Sequence, residues 1–374
     1  MQLFDVYPLY DIEPVRAQGS TLWDSKGQKY IDLYGGHAVI SIGHSHPLYV
    51  ERITEQLRNI GFYSNSVKIS SQERLAEKLG EISGLRDYQL FLVNSGAEAN
   101  ENALKLASFH TGRTKIIAFT KAFHGRTSAA VAATDNPSIK APINFDSHVQ
   151  FVLFNDVEAV SAAIDTDTCA VIMEGIQGVG GIHVATEEFM RAIRTKCDET
   201  GAVFIHDSVQ CGYGRSGEFF TFQHTDILPD LVTTAKGMGN GFPIGGVLIS
   251  PKFQAKHGLL GTTFGGNHLA SVAAGAVLDV IQEEKLIENA AQLGNYWMQE
   301  LRGFSKGIRE VRGQGLMIGI EFEEEVGPIR SKLLHEHHLF TGVAGRHTLR
   351  LLPSLALKKE EADIFLDALK QVLN

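Results

Sequence analysis

Tyr88-Gln-Leu-Phe-Leu-Val93, then Asn94-Ser-Gly-Ala97, then Glu98-Ala-Asn-Glu-Asn-Ala-Leu-Lys-Leu-Ala-Ser-Phe-His110: the chain passes from an apolar run through a small polar turn into a helical pattern. The run reads as a short buried strand, and Ser and Gly in the turn suit the entry to a helix. Further β runs stand at Lys115–Phe119, Ala170–Met173, Ala202–His206, Leu231–Ala235 and Val247–Ser250, several of them separated by helical patterns such as Glu187–Glu199. Such alternation predicts an α/β fold, a mainly parallel sheet with helices on both faces. Upstream, Ser70 and Glu73 have capping-box spacing and predict a helix through about Ile82.

The outer parts of the chain read differently. From Asn267 to Phe304 two long helices lead into strands at Ile308–Arg312 and Met317–Phe322, a helix near Gly327–His338, the strand Leu349–Leu352 and a last helix. We expect a smaller α+β domain there. The expected division is residues 1–50 as an N-terminal segment packing with the small domain, 51–266 as the large domain, and 267–374 as interdomain helix plus small domain. At 374 residues the chain exceeds the usual size of one core, which agrees with two domains. No repeat, low-complexity tract or Pro/Ser-rich linker interrupts it, so a shared interface between the domains is expected.

Composition narrows the function. A formal charge of −9 without any basic run argues against nucleic acid or anionic membrane as the main partner. Residues 1–20 carry Asp5, Asp11 and Glu13 and lack the pattern of a signal peptide, and no apolar run is long enough to span a bilayer. Cys169, Cys197 and Cys211 lie far apart without zinc-like spacing, which suits reduced thiols in a cytoplasm. His44-Ser-His46 and His335-Glu-His-His338 have no acidic or cysteine partner at useful spacing, so no metal is expected.

Chemistry gathers where the strands end. In open parallel sheets ligands sit outside the carboxyl ends of the strands, and four strands here end in Asn94-Ser95, Glu174, Asp207 and Lys236. Ser95, Gly96 and Ala97 open a helix, whose free N–H groups suit a phosphate. An ionised Asp207 at the end of an apolar strand needs a cationic partner. Lys236 sits in Asp230-Leu-Val-Thr-Thr-Ala-Lys-Gly-Met-Gly-Asn-Gly-Phe-Pro-Ile-Gly-Gly246, and enclosure of its ammonium would lower its pKa and make it a nucleophile toward an aldehyde. A strand-end lysine taken alone is ordinarily a solvated one. A phosphate cradle, an acid for a ring nitrogen and an aldehyde-binding amine are together what pyridoxal phosphate requires.

Six ordered motifs carry a resemblance over nearly the whole length: Asn94-Ser-Gly-Ala-Glu-Ala-Asn-Glu-Asn-Ala-Leu-Lys105, Ala122-Phe-His-Gly-Arg-Thr127, Glu174-Gly-Ile-Gln-Gly-Val-Gly-Gly181, Asp207-Ser-Val-Gln-Cys-Gly-Tyr-Gly-Arg-Ser-Gly217, Ala235-Lys-Gly237 and Thr262-Thr-Phe-Gly-Gly-Asn267. With these the chain resembles the ω-amino, class-III subgroup of fold-type I pyridoxal-phosphate aminotransferases, the acetylornithine aminotransferases above all. The resemblance implies a seven-stranded large domain, pyridoxal 5'-phosphate as cofactor, and a homodimer with shared active sites. It implies that Gly96 and Ala97 meet the phosphate, Phe123 stacks on the ring, Asp207 holds the ring nitrogen, and Gln210 approaches the ring hydroxyl. Lys236 would be the amine that takes the cofactor aldehyde and then shuttles a proton. Thr263 would reach the cofactor phosphate of the partner subunit. Arg126 would hold the carboxylate distal to the reacting carbon and Arg350 an α-carboxylate, with Glu174 beside them.

The implied reaction passes the δ-amino group of an N-acylornithine, N-acetylornithine or N-succinylornithine, to 2-oxoglutarate, in arginine metabolism and more specifically its biosynthesis. The alternatives are an ornithine or 4-aminobutyrate ω-aminotransferase and, from a different class, a catalytically silent ligand-binding relative. Departures from the family pattern bear on the substrate: Gly175 stands where proline is usual, Val179 where glutamate is usual, Ser208 where glutamate is common, and His37 where a small or apolar residue is common. An Arg350 left uncovered by Val179, or His37, is expected to accept a second carboxylate, which would favour the succinyl substrate.

Overall fold

Strands rich in apolar residues are stable when covered on both faces, and the computed structural model, which describes residues 1–144, 148–304 and 306–374, places its most buried strands at the centre of one sheet. Its order in space is Gln89–Val93, Gly245–Ile249, Leu231–Thr234, Val203–Asp207, Thr168–Glu174, Lys115–Phe119 and Val149–Val152. The inner strands Thr168–Glu174, Val203–Asp207 and Leu231–Thr234 are buried at every position. Pairing is parallel from Leu231–Thr234 to Val149–Val152, and Gly245–Ile249 runs antiparallel to both its neighbours. The sheet is therefore mainly parallel, as the alternation predicts.

Period-two alternation sorts the side chains into two apolar layers. Ala170, Ile172 and Ile205 join Ala99, Ala103 and Ala107 on one face, while Val171, Met173 and Phe204 join Phe189 and Ile193 on the other. Alanines every fourth residue let the helix Gly96–Thr111 lie close to the sheet. Its first turn consequently stands over the carboxyl ends of the strands. Register adds the decisive detail: Asp207 lies opposite Glu174 on one side and Thr233 on the other.

Two further sheets frame this layer. Ile308–Gln314, Met317–Phe322, Thr348–Leu351 and Gly342–Ala344 pair antiparallel, and Arg350 projects from the third of these. At the other end of the chain, Pro14–Gln18, Thr21–Asp24 and Lys29–Asp32 form a meander whose last strand pairs in parallel with Leu339–Phe340. The long helices His268–Glu283 and Leu286–Arg302 carry the largest apolar cluster, with Trp297 fully buried and its indole N–H donating to the Ala362 carbonyl at 3.1 Å. Burying a side chain of that kind contributes roughly 3 kcal/mol.

One local expectation fails. The capping box at Ser70 and Glu73 does not form: the helix Ser70–Ser83 is entered from Ile69, and no side chain caps it. Ser70 already lies in the first turn, beyond the position from which a hydroxyl can accept the N–H groups that follow. The helix stands instead on the burial of Leu75 and Leu79. The edge strand Val149–Val152 and the helix Val157–Ala163, capped by Asp156, lie in a stretch to which the sequence reading assigns no element.

Candidate active site

A cavity of roughly 360 Å3 opens at the carboxyl ends of the central strands, and Ser95, Gly96, Ala97, Phe123, Arg126, Glu174, Asp207, Gln210 and Lys236 all line it. Residues spread over more than a third of the sequence are thus brought to one place by the sheet.

Lys236 follows the buried strand Leu231–Thr234 and begins a tight turn at φ 43°, a left-handed conformation that costs a non-glycine residue about 1–3 kcal/mol. The surroundings hold it there. Asn240 Oδ1 accepts the N–H groups of Ser41 and Ile42 at 2.8 and 3.1 Å, its amide donates to the Gly43 carbonyl at 3.0 Å, and Ser41 Oγ donates to the Gly237 carbonyl at 2.7 Å. Burial pulls the half-buried Lys236 ammonium below its ordinary range; Asp207 and Glu174 oppose that shift and Arg350 adds to it. A neutral amine is the form that attacks a carbonyl carbon or accepts a proton.

Asp207 is 3% exposed and fully engaged. Its Oδ2 accepts from Asn100 Nδ2 and from His124 Nδ1, each at 2.7 Å, and its Oδ1 accepts from the Val209 N–H at 2.9 Å. Asn100 is itself fixed, donating to the His124 carbonyl at 2.7 Å and accepting from Thr233 Oγ1 at 2.6 Å. Burial works against the carboxylate, but the hydrogen bond and charge of His124, the Val209 N–H and the charge of Lys236 outweigh it and hold its pKa down. A permanent anion therefore stands in the cavity wall, the group that a protonated ring nitrogen needs.

At the first turn of Gly96–Thr111, Ser95 Oγ accepts the Glu98 N–H at 3.2 Å and the Ser95 carbonyl accepts that of Ala99 at 3.0 Å. The N–H groups of Gly96 and Ala97 precede the first intrahelical bonds and border the cavity, where an anion can take them. Gly96 is obligatory for packing, since a Cβ there would stand 2.5 Å from a methyl of Val209. Gln210 donates through Nε2 to the His37 carbonyl at 3.1 Å, and its buried Oε1 has no donor. The residue borders the cavity, so a rotation of its side chain would turn this acceptor toward a ring hydroxyl. Phosphate N–H groups, a ring-nitrogen anion, an amine and this orphaned acceptor together fit pyridoxal phosphate.

Glu174 is the second buried acid. Its Oε1 accepts the Phe123 N–H and its Oε2 the Gly178 N–H, both at 3.0 Å. Burial pushes its carboxyl up to about 7; His124 opposes the shift, Asp207 adds to it, and the two N–H groups oppose it. Two departures from the family pattern meet directly beneath it. A Cβ on Gly175 would lie 2.6 Å from His206 Nε2, and His206 Nδ1 pairs with Ser208 Oγ at 2.8 Å. Gly175, His206 and Ser208 are thus one packing unit, with burial holding the imidazole down to about 4 and so neutral.

The predicted substrate residues separate into two groups. Arg126 is exposed at the cavity wall and forms no ion pair among the described residues. Arg350, 4% exposed, donates to the Gly178 carbonyl at 3.0 Å and to Tyr34 Oη at 3.1 Å, and its Nε has no partner. Burial lowers its pKa, Tyr34 and Glu174 oppose the shift, and Arg330 adds to it. His37, at φ 68°, meets Tyr34 Oη through Nδ1 at 2.5 Å; burial and the charges of Arg350, Lys236 and Arg330 hold its pKa down. Neither His37 nor Arg350 lines the main cavity, and Thr263 lies exposed outside it, next to Thr262, whose Oγ1 accepts from Asn94 Nδ2 at 3.4 Å.

His124, Asn100, Tyr34 and Val209 were not singled out in the sequence. His124 and Asn100 lie inside quoted motifs, and a buried polar residue on the sheet side of an alanine-rich helix face was the available signal for Asn100.

Comparison with known proteins is consistent with this geometry. A family model described as aminotransferase class-III matches residues 6–373. An acetylornithine aminotransferase of Caldanaerobacter subterraneus is 39% identical over 100% of this chain and 97% of its own length. A succinylornithine transaminase of Citrobacter koseri is 39% identical over 98% of this chain and 93% of its own. Among solved structures, an ornithine aminotransferase from Toxoplasma gondii superimposes with a TM-score of 0.92 at 26% identity, covering 98% of this chain and 91% of that one.

Proposed function

The chain belongs to the class-III aminotransferases, which are pyridoxal-phosphate-dependent enzymes, and on that premise we propose that it transfers the δ-amino group of an N-acylornithine to 2-oxoglutarate. The supporting observation is a pair of guanidiniums without an ion pair among the described residues: Arg126 at the wall of the cavity and the buried Arg350, which has only hydrogen bonds to the Gly178 carbonyl and Tyr34 Oη. A buried cation such as Arg350 is costly without an anion, and a dicarboxylate held between it and the exposed Arg126 would offset that cost. The products would be an N-acylglutamate semialdehyde and glutamate, a step in arginine biosynthesis.

Pyridoxal phosphate, when bound, supplies the aldehyde that accepts the amino group and the electron sink that stabilises the carbanion. In this reading the N–H groups of Gly96 and Ala97, with Ser95, hold the phosphate, and Asp207 keeps a proton on the ring nitrogen. Phe123 and Val209 flank the ring, and Gln210 Oε1 accepts its hydroxyl. Lys236 Nζ takes the proton from the δ-carbon of the donor, and its lowered pKa is what makes it competent to do so. Arg126 orients the donor through its carboxylate, with Glu174 bracing the Phe123 and Gly178 backbones. In the second half of the cycle Arg350 takes the α-carboxylate of 2-oxoglutarate and Arg126 the γ-carboxylate.

Assembly and setting belong to the same proposal. Thr263 is flanked by Phe264, 60% exposed, which meets the ring of Phe62, 44% exposed, near an exposed Tyr63. A contiguous apolar surface of this kind suits a second copy of the chain, which would bring Thr263 to the partner's phosphate and make the enzyme a homodimer. The division at about residues 50 and 266 would set the sheet that carries Arg350 in a smaller domain that shares one apolar core with the large one. No helix among the described residues is long and apolar enough to cross a membrane, and a cytoplasmic location suits the reduced cysteines.

A donor panel tests the reaction. Purified holoenzyme with 2-oxoglutarate should form glutamate from an N-acylornithine at a far higher kcat/KM than from ornithine or 4-aminobutyrate. A preference for either unacylated amine, or no glutamate from any donor, would overturn the proposal.

A further inference from the structure

A second cleft, of roughly 370 Å3, lies beside the first, and Phe123 and Val179 line both. We infer that this cleft receives the acyl group of the donor and that Lys121 pairs there with a carboxylate at the acyl terminus, so that an N-succinylated ornithine is preferred over an N-acetylated one. The inference rests on the acylornithine reading above.

A dicarboxylic acyl group brings a second anion besides the carboxylate of the ornithine itself, and the cations already placed do not serve it. Arg126 answers the donor's own carboxylate, and Arg350 lines neither cleft. His37, the other candidate, is bound to Tyr34 Oη and lines neither cleft, and burial and neighbouring cations lower its pKa. Within the second cleft, Arg312 is committed to Glu310 and Glu321, and Arg346 to Glu325. Burial and the charges of Arg312 and Lys121 work against a charge on His183, and His347 Nδ1 is engaged with the Glu324 carbonyl at 3.0 Å. That leaves Lys121, exposed on the cleft wall and with no ion pair among the described residues.

The backbone under Lys121 is built, not incidental. Lys121 stands at φ 64°, and strain of that kind in a non-glycine residue persists where the surroundings impose it. Asp135 Oδ2 accepts its N–H at 2.7 Å, and Gln177 Nε2 donates to the preceding carbonyl, that of Thr120, at 2.8 Å. The loop bearing Val179 presses against it so closely that a Cβ on Gly180 would lie 2.7 Å from the Lys121 carbonyl oxygen. The base of the lysine side chain is therefore fixed beside Val179. Val179, 44% exposed, gives the shared wall an uncharged surface past which an acyl chain can lie. A glutamate at that position would instead set a like charge in the path of the acyl carboxylate.

Steady-state kcat/KM for N-succinylornithine and N-acetylornithine, each with saturating 2-oxoglutarate, tests this in the wild type and in Lys121→Gln, Lys121→Arg and Val179→Glu. The wild type should prefer the succinyl donor. Lys121→Gln should lower its kcat/KM about tenfold, the scale of one hydrogen bond to a charged group, while leaving the acetyl donor within about twofold. Lys121→Arg should retain most of the preference. If Lys121→Gln loses activity on both donors through misfolding, Val179→Glu decides, and it should depress the succinyl donor more than the acetyl. A wild type that prefers the acetyl donor, or variants that affect both donors alike or neither, overturns the inference and leaves the acylornithine reading standing. No turnover of either donor by the wild type overturns both.

Discussion

Asp207 and Arg350 are buried to nearly the same degree, 3% and 4% exposed, yet one is saturated and the other is not. Asp207 accepts from Asn100, His124 and Val209, so its charge is stabilised before any ligand arrives. Among the described residues Arg350 has a carbonyl and a phenol as acceptors, and its Nε has no hydrogen-bond partner. On the proposed function, the difference separates a site prepared for a resident group from one left open for visitors. A cofactor that stays can be met by a preorganised anion, whereas substrates that alternate must find a cation whose neutralisation they themselves provide.

Breaking the cofactor side should have the largest effect. Lys236→Ala should reduce turnover by at least about a thousandfold, since in the proposed reaction one group would serve as nucleophile and proton carrier, while circular dichroism shows an intact fold. Retained transamination would remove Lys236 from the chemistry. Next in size is the floor beneath Glu174. Gly175→Ala should destabilise the protein by about 1–3 kcal/mol in denaturant titration, because its Cβ meets the His206 ring at 2.6 Å and Thr221 Cβ at 2.8 Å, and His206→Ala in the same chain should recover only the part of the loss that the imidazole causes. An unaffected single variant would show that the imidazole does not claim that space.

The smallest expected effect is a pH dependence. Glu174 has its folded pKa raised from 4.5 to about 7, so its contribution to stability is fully present below the unfolded value and is lost as pH rises through about 7. His206 acts in the opposite sense: with its folded pKa lowered from 6.5 to about 4, its contribution is present above 6.5 and lost as pH falls toward 4. Comparing the apo-protein with apo-Glu174→Gln cancels the histidine. The wild type's Tm relative to the variant should decline between about pH 5 and pH 8. A constant difference would mean that Glu174 is not protonated in the folded chain.

Legibility in the sequence divides along the same line. Asn94, Glu174, Asp207 and Lys236 could be read because each ends a strand apolar enough to be recognised alone, and a parallel sheet brings strand ends together. His124 and Asn100 could not be paired with Asp207 in advance, since they lie 83 and 107 residues from it and only the fold supplies the contact. The strand Pro14–Gln18 escapes for a different reason, being almost wholly exposed and so without an apolar alternation to find. The capping box at Ser70 misled because its spacing matches whether or not the helix begins one residue earlier. His37, Val179 and Gly175 were legible as departures from a family pattern, but the meaning of Gly175 emerged only with the His206 ring in view.

The contrast between a prepared and an open pole is tested most directly by following the two half-reactions separately in Arg350→Ala. With stopped-flow absorbance of the holoenzyme, the half-reaction with the N-acylornithine should proceed near the wild-type rate, whereas that with 2-oxoglutarate should slow about ten- to a hundredfold, the scale of a lost charge-assisted hydrogen bond. Equal slowing of both half-reactions, or of neither, would contradict the assignment of Arg350 to the α-carboxylate of the acceptor.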